Sequence, residues 1–268
     1  MGNYEVLANA RKNGHAIAAM NAVNLETAQA IVWAAEAEDS AVILQISENA
    51  AKYGGLFELF AIATVLKQEA IVPIIVHFDH AESLESATEA VALGFDSVML
   101  ESSNLEPEAY LEQLQELVRF AEPYNCLIEA EFEVTQKGER DAKRLHPKNI
   151  AEMTAKSGCH LVAIDIGSKH KMTSKEAKLD LTHLKHIAEY VKKPLVLHGA
   201  SGVKPAELRT AVALGISKVN VATELMLSFT NGVLEVLSDK KQYDARKYLA
   251  GGRVSMQETA SEIIRLLS

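Results

Sequence analysis

The chain has 268 residues, of which 48% are hydrophobic and 24% charged, and its formal net charge is −9. This composition excludes a disordered or collagen-like chain, and the acidic balance argues against nucleic acid or an anionic membrane as the main partner. The negative net charge is still compatible with a small anionic substrate that is held in a local pocket. Length alone allows two domains of ~150 residues or one α/β barrel of ~250 residues.

The two cysteines and the N-terminal segment indicate in which cellular compartment the protein is expected. Cys126 and Cys159 lie in apolar stretches and predict buried thiols, since two such residues form no disulfide framework. We see no apolar signal segment near the N-terminus, and the longest apolar run, residues 70–76, is too short to span a bilayer. We therefore expect a cytoplasmic protein.

Short apolar segments alternate with longer amphipathic segments along the whole chain. The short segments predict strands buried on both faces, at residues 16–20, 41–46, 74–78, 97–100, 127–130, 161–166, 195–197 and 218–221. The amphipathic segments predict helices at residues 25–37, 56–67, 84–93, 108–121, 149–156, 181–190, 206–214 and 224–237. Proline begins three of these helices, and glycine follows three, as helix boundaries require: Pro107, Pro147, Pro205, Gly94, Gly158 and Gly215.

Eight strand–helix units in strict alternation predict an α/β protein folded as a single (β/α)8 TIM barrel over residues 1–268. No linker or change in composition divides the chain. An additional C-terminal helix is predicted at about residues 255–267, after a loop containing Gly251 and Gly252.

Polar and ionisable residues stand at the C-terminal ends of the predicted strands, where barrel enzymes carry their chemistry. They are Asn21, Ser47, Asp79, His80, Glu101, Glu131, Lys169, His170, His198, Asn220 and Thr223. Any barrel is polar there, because loops begin at strand ends. Three histidines at such positions, His80, His170 and His198, are nevertheless a candidate metal triad, and three imidazoles leave the open fourth position of a catalytic zinc site.

Carboxylates accompany these histidines on two strands. Asp79 precedes His80, and it is a candidate general acid/base or a carboxylate that orients a ligand imidazole. His77 shares the strand face of Asp79. Glu129 and Glu131 point the same way on the fifth strand, and Glu131 is nearer the mouth.

Two segments have the composition of an anion site. Residues 197–202 place Gly199, Ser201 and Gly202 after the seventh strand, and residues 219–223 lead from the eighth strand to a helix start at Thr223. Loops at these places, with a helix N-terminus, form the recurrent phosphate site of such barrels. The alternative is that the glycines only shape turns and that Thr223 only caps a helix.

Several segments together resemble the class II, metal-dependent ketose-bisphosphate aldolases over nearly the whole chain. The matching segments are residues 77–80, 129–131, 167–170, 197–202 and 218–225. The form of residues 220–225, Asn-Val-Ala-Thr-Glu-Leu, is similar to the tagatose-bisphosphate branch of that family.

This resemblance implies reversible retro-aldol cleavage of a ketose phosphate or bisphosphate into dihydroxyacetone phosphate and an aldehyde. It implies one divalent metal per subunit, usually zinc, held by His80, His170 and His198 with Glu131 beside it. It also implies that Asp79 is the acid/base at the carbon where the bond breaks, and that Glu139 moves the proton of the three-carbon fragment. The implied substrate and phosphate contacts are Asn21, Ser47, Gly167, Lys171, Gly199, Ser201, Asn220 and Thr223. A homodimer or homotetramer is expected.

The sequence departs from the family at four places. Glu101 stands where the family has Asp, Glu133 where it has Gly, and Arg140 where an acidic residue is usual. Lys171 replaces the glycine after the metal histidine, which argues against the family's monovalent-cation site. We hypothesise that Lys169 and Lys171 add positive potential at the mouth and favour a different anionic sugar.

Three alternatives stay open from the sequence. One is a metal-dependent sugar-phosphate epimerase on the same barrel, and another is a class I aldolase that uses Lys169 to form an imine. The third is a non-catalytic barrel that serves as an assembly partner. The sequence leaves open whether the sugar is a fructose, tagatose, deoxy or sulfonated compound.

Overall fold

Eight parallel strands form the centre of the molecule. The computed structural model describes residues 2–101, 105–132, 145–168 and 172–268. The strands are β1 (Ile17–Asn21), β2 (Val42–Ser47), β3 (Ile74–Ala81), β4 (Ser97–Leu100), β5 (Leu127–Phe132), β6 (Leu161–Ile164), β7 (Leu195–Leu197) and β8 (Ile216–Val221). They pair in chain order, and β8 pairs with β1, so the sheet is a closed barrel as predicted.

Helices surround this barrel. Within the described residues they are α1 (Asn3–Asn13), α2 (Leu25–Ala37), α3 (Glu48–Gly54), α4 (Leu56–Glu69), α5 (Leu84–Leu93), α6 (Pro107–Ala121), α7 (Pro147–Ser157), α8 (Leu181–Tyr190), α9 (Pro205–Ala213), α10 (Thr223–Leu237) and α11 (Ala245–Leu267). The three predicted prolines begin α6, α7 and α9. None of the helices in the described part of the chain has the length and apolar character needed to cross a membrane.

The C-terminal helix differs from its prediction. It begins at Ala245, so Gly251 and Gly252 lie inside α11, and the predicted loop there is wrong. The physical reason is packing against α10. A Cβ atom on Gly251 would lie 2.9 Å from the backbone oxygen of Gly232 and 2.5 Å from Cγ2 of Val236. These glycines therefore allow a close helix approach, and they do not mark a turn.

Helix α1, which the periodicity did not indicate, closes the N-terminal end of the barrel. Its Val6, Leu7 and Ala10 form one buried cluster with inward residues of the strands, which include Ile75 and Leu127. This cluster fills the N-terminal end of the barrel, and the polar residues at the strand ends lie at the opposite, C-terminal end.

Candidate active site

The end of β3 brings two consecutive side chains to the mouth. The pairing of β3 with β4 shifts register between Phe78 and Ala81, and His80 has a φ of +58°. A regular strand would send Asp79 and His80 to opposite faces. The irregularity instead places Oδ1 of Asp79 3.8 Å from Nε2 of His80. Such a conformation is costly for a residue other than glycine, and irregular strand ends of this kind are common beside active sites.

Asp79 is almost fully buried, with 5% of its surface exposed. Nδ2 of Asn21 donates to its Oδ2 at 3.1 Å, while its Oδ1 accepts no hydrogen bond from the described residues. Burial opposes its ionisation, but the neighbouring His80 and Lys218 outweigh burial and lower the pKa of the carboxyl. Asp79 is therefore a carboxylate at neutral pH, with one oxygen available to a ligand.

Two carboxylates flank the imidazole of His198, which follows β7. Nε2 of His198 lies 2.9 Å from Oε1 of Glu129, and its Nδ1 lies 3.4 Å from Oε1 of Glu131. Burial lowers the pKa of this histidine, but the two carboxylates raise it more, to about 10. The surroundings of His198 thus favour positive charge strongly.

His80 completes the described part of the predicted metal group. Its Nδ1 lies 2.8 Å from Oε2 of Glu101, and its ring centroid lies 5.2 Å from that of His198. Burial lowers the pKa of His80, but Asp79 and Glu101 raise it above its usual value. Imidazole nitrogens with carboxylates behind them are a donor set that zinc prefers.

A charged layer lies beneath these groups. Nζ of Lys218 donates to Oε2 of Glu129 at 2.6 Å and lies 3.3 Å from Nε2 of His77. Nδ1 of His77 lies 2.9 Å from Oγ of Ser97. Burial and Lys218 lower the pKa of His77 to about 3, so this imidazole is neutral.

The predicted anion segments adjoin the metal group. Gly199 has a φ of +65°, and residues 200–202 form a 3-10 turn after β7. Oγ of Ser201 accepts from the backbone N–H of Glu224 at 3.4 Å, which joins this turn to the start of α10 at Thr223. A Cβ atom at Gly202 would lie 2.6 Å from Sδ of Met172, so the turn is closely packed there.

Three further predicted residues lie at strand ends. Asn220, on β8, is buried, and its Oδ1 has no hydrogen-bond partner among the residues that the structure describes. Ser47 ends β2 and caps α3, where its hydroxyl accepts from the N–H of Ala50 at 3.2 Å. Gly167 has a φ of +103° and donates its N–H to Asp165.

Several predicted residues lie outside the described part of the chain. They are His170, Glu139, Lys169, Lys171, Glu133 and Arg140. Within the described residues, no three His, Cys, Asp or Glu side chains are arranged so that they could already hold a metal ion. The chemistry of the donors that are described fits a metal, because His80, His198 and Glu131 lie together in a region that stabilises positive charge.

A closed parallel barrel with imidazoles, carboxylates and a glycine-rich segment at its mouth is the arrangement of a (β/α)8 barrel enzyme, whose reactive groups stand at the C-terminal ends of the strands. The family model "Fructose-bisphosphate aldolase class-II" matches residues 3–268. The chain therefore belongs to the class II fructose-bisphosphate aldolase family, and it is a carbon–carbon lyase.

Relatives and solved structures agree with this assignment. The chain is 34% identical to a fructose-bisphosphate aldolase of Thermus caldophilus, with 98% of this chain and 96% of the relative covered. It is also 34% identical to a fructose-bisphosphate aldolase of Staphylococcus epidermidis, with 97% and 94% covered. Its fold is similar to that of the YdjI aldolase from Escherichia coli K12, at a TM-score of 0.86 and 28% identity, covering 100% of this chain and 97% of the other.

Sequence reasoning missed two residues that support the site. In the sequence, Lys218 begins a predicted strand and a matching segment but has no predicted role of its own. A lysine inside an apolar strand, on the same face as Asn220, is the signal that indicates one. Tyr110, on α6, donates its hydroxyl to the carbonyl of Leu100 at 3.0 Å and accepts from the N–H of Glu131 at 2.9 Å. No local pattern distinguishes Tyr110 from an ordinary core residue.

Proposed function

We propose that this lyase cleaves a ketose 1,6-bisphosphate of fructose or tagatose configuration, reversibly, into dihydroxyacetone phosphate and an aldehyde. We also propose that one zinc ion per subunit is held by His80, His170 and His198, with Glu131 beside it. The observation that carries this proposal is the carboxylate of Asp79, whose available oxygen lies 3.8 Å from the imidazole of His80.

The first proposed step is proton removal by Asp79. Its lowered pKa keeps it ionised, and Asn21 holds the other carboxylate oxygen. Asp79 takes the proton of the hydroxyl on the carbon where the bond breaks, and that oxygen becomes the aldehyde carbonyl. The electron pair of the broken C–C bond passes to the ketone half.

When bound, a divalent ion supplies Lewis-acid polarisation of the ketone oxygen. Asn21 and Asn220 are proposed to contact the dihydroxyacetone-phosphate half, and the unpartnered Oδ1 of Asn220 offers an acceptor for a substrate hydroxyl. Glu139 is proposed to move the proton of the three-carbon fragment.

The phosphate is proposed to lie at the start of α10. Gly199, Ser201 and Thr223 bring backbone N–H groups and hydroxyls to one place, and the helix dipole adds positive potential. Gly167 is proposed to border this site. These groups supply local positive potential for an anion, although the chain as a whole carries a negative net charge.

The far end of the sugar is proposed to meet Ser47 and the positive potential of Lys169 and Lys171. The charge of Lys171 is tested by Lys171→Gly, with KM measured for every accepted substrate. A rise in KM for the preferred sugar supports a role of the Lys171 charge in substrate binding. An unchanged KM for every accepted substrate contradicts that role.

The proposal as a whole is tested with zinc-loaded protein on a panel of ketose 1-phosphates and 1,6-bisphosphates. Release of dihydroxyacetone phosphate is followed by its NADH-linked reduction, and product analysis separates cleavage from a single altered stereocentre, as an epimerase would give. We expect chelation to abolish turnover and zinc or cobalt to restore it. Full activity in metal-free protein, or an adduct trapped by borohydride with substrate, would contradict the metal mechanism.

A matched pair of histidine variants tests the ligand assignment. His198→Ala is expected to lower zinc affinity by more than about 100-fold, because an imidazole donor is lost. His186→Ala makes the same change at an exposed position of α8 and is expected to leave affinity and turnover unchanged. Equal zinc affinity of the two variants would refute the role of His198.

A homodimer or homotetramer and a cytoplasmic location are part of the proposal. Sedimentation of the purified protein as a monomer at micromolar concentration would contradict the proposed homodimer or homotetramer.

A further inference from the structure

Lys218 is a charged side chain in the centre of the barrel. It lies within β8, two positions before Asn220, and is 0% exposed. The apolar cluster with α1 lies below it, and the mouth lies above it. A buried ammonium needs partners that compensate its loss of hydration.

Both partners of Lys218 lie on other strands of the barrel, Glu129 on β5 and His77 on β3. Its Nζ donates to Oε2 of Glu129 at 2.6 Å and lies 3.3 Å from Nε2 of His77. Nδ1 of His77 lies 2.9 Å from Oγ of Ser97, which fixes the ring. Nε2 of the neutral His77 therefore faces the ammonium as an acceptor, so the ammonium is held from two sides.

Glu129 connects Lys218 to His198, which lies at the mouth of the barrel. One carboxylate oxygen accepts from Lys218, and the other, Oε1, lies 2.9 Å from Nε2 of His198. A carboxylate is planar, so a hydrogen bond that fixes one oxygen also sets the direction of the other. The bond to Oε1 directs Nε2 of His198 into the barrel and its Nδ1 towards Glu131, at 3.4 Å.

The geometry points to Lys218 as a positioning residue for the metal ligand His198, acting through Glu129, so that tight binding of the divalent ion requires Lys218 although Lys218 is no ligand. This inference rests on the proposed metal site. Carboxylates that hold ligand imidazoles commonly change metal affinity by about 10- to 100-fold when they are altered. Lys218 extends that support by one residue, into the barrel core.

The test compares four proteins by zinc affinity, measured by competition with a chromophoric chelator. They are the unaltered protein, Lys218→Met, Glu129→Gln and the double variant. Lys67→Met is the matched control, because Lys67 also pairs with a carboxylate, Asp96 at 2.6 Å, which in turn binds the backbone of β3 at Val76. No described side chain of the site takes part in that pair.

We expect Lys218→Met to weaken zinc binding by about 10- to 100-fold, and Glu129→Gln to do the same. The double variant is expected to match Glu129→Gln alone, because Lys218 acts through Glu129. Lys67→Met is expected to lower the unfolding temperature of the metal-free protein and to leave zinc affinity within about twofold of the unaltered protein.

Two results would overturn the inference: a folded Lys218→Met with unaltered zinc affinity, or a double variant weakened by the product of the two single effects. Should Lys218→Met not fold, Lys218→Gln keeps an N–H donor and is expected to lose about 10-fold in affinity, and unaltered affinity there overturns the inference equally. Absence of zinc binding by the unaltered protein is a different outcome, which refutes the proposed function itself.

Discussion

The hydroxyl of Tyr110 joins two strands just where they carry site residues. The hydrogen-bonded ladder between β4 and β5 ends with Met99 opposite Glu129. Beyond that point, the hydroxyl donates to the carbonyl of Leu100 and accepts from the N–H of Glu131. Tyr110→Phe removes one oxygen atom and keeps the ring in its buried place.

The cost of this change follows from the two groups left behind. Each lost hydrogen bond contributes about 1 kcal/mol net, and a buried N–H or carbonyl left unsatisfied costs about 1–3 kcal/mol. We expect a loss of roughly 2–4 kcal/mol in the free energy of unfolding. For a chain of this size, that lowers Tm by roughly 5–10 °C.

The assay is thermal unfolding of the metal-free protein, with Tyr124→Phe as the matched control. Tyr124 is 49% exposed, so removal of its hydroxyl is expected to change stability by less than about 0.5 kcal/mol. Zinc affinity is expected to fall in Tyr110→Phe alone, because the backbone N–H of Glu131 loses its partner. Equal unfolding temperatures of the two variants would refute the reasoning.

Three further outcomes are expected. Asp79→Asn should lower kcat by about 10²- to 10⁴-fold with little change in zinc content, since the amide can still meet Asn21 but cannot accept the proton; a kcat within tenfold of the unaltered enzyme would contradict this. Burial raises the pKa of Cys126 to about 12 and that of Cys159 to about 11, so both stay protonated at pH 8, and iodoacetamide should label them in urea but not in the folded protein, which mass spectrometry would check. Gly232→Ala should destabilise the protein by about 1–2 kcal/mol in thermal unfolding, because its Cβ would lie 2.5 Å from a backbone oxygen of α11, and a raised Tm would show that the helices can separate freely.

The barrel was predictable because its signals are local. Strands buried on both faces are short apolar runs, and helices carry proline at their starts, as Pro107 and Pro205 do. Eight such units are enough to predict closure, and closure brings distant strand ends such as Asp79 and His198 to one mouth. The matching segments then indicated the aldolase family, which the comparison over residues 3–268 confirms.

Other features could not be predicted, because they depend on neighbours distant in the chain. The pair Gly251 and Gly252 predicts a turn. Gly251 nevertheless lies within α11, where the absence of a side chain lets α10 pack closely against that helix. The sequence could not decide whether Asp79 and His80 diverge, since the register shift of β3 against β4 sets the φ of His80.

The sequence by itself determined the eightfold alternation, the polar mouth and the family. Tertiary structure alone decided which polar groups meet beneath that mouth. In the chain, Lys218 is 89 positions from Glu129 and 141 positions from His77, and Glu129 and His77 are 52 positions apart. A buried charge is stable only beside its partners, and the partners of Lys218 come together only when the barrel closes.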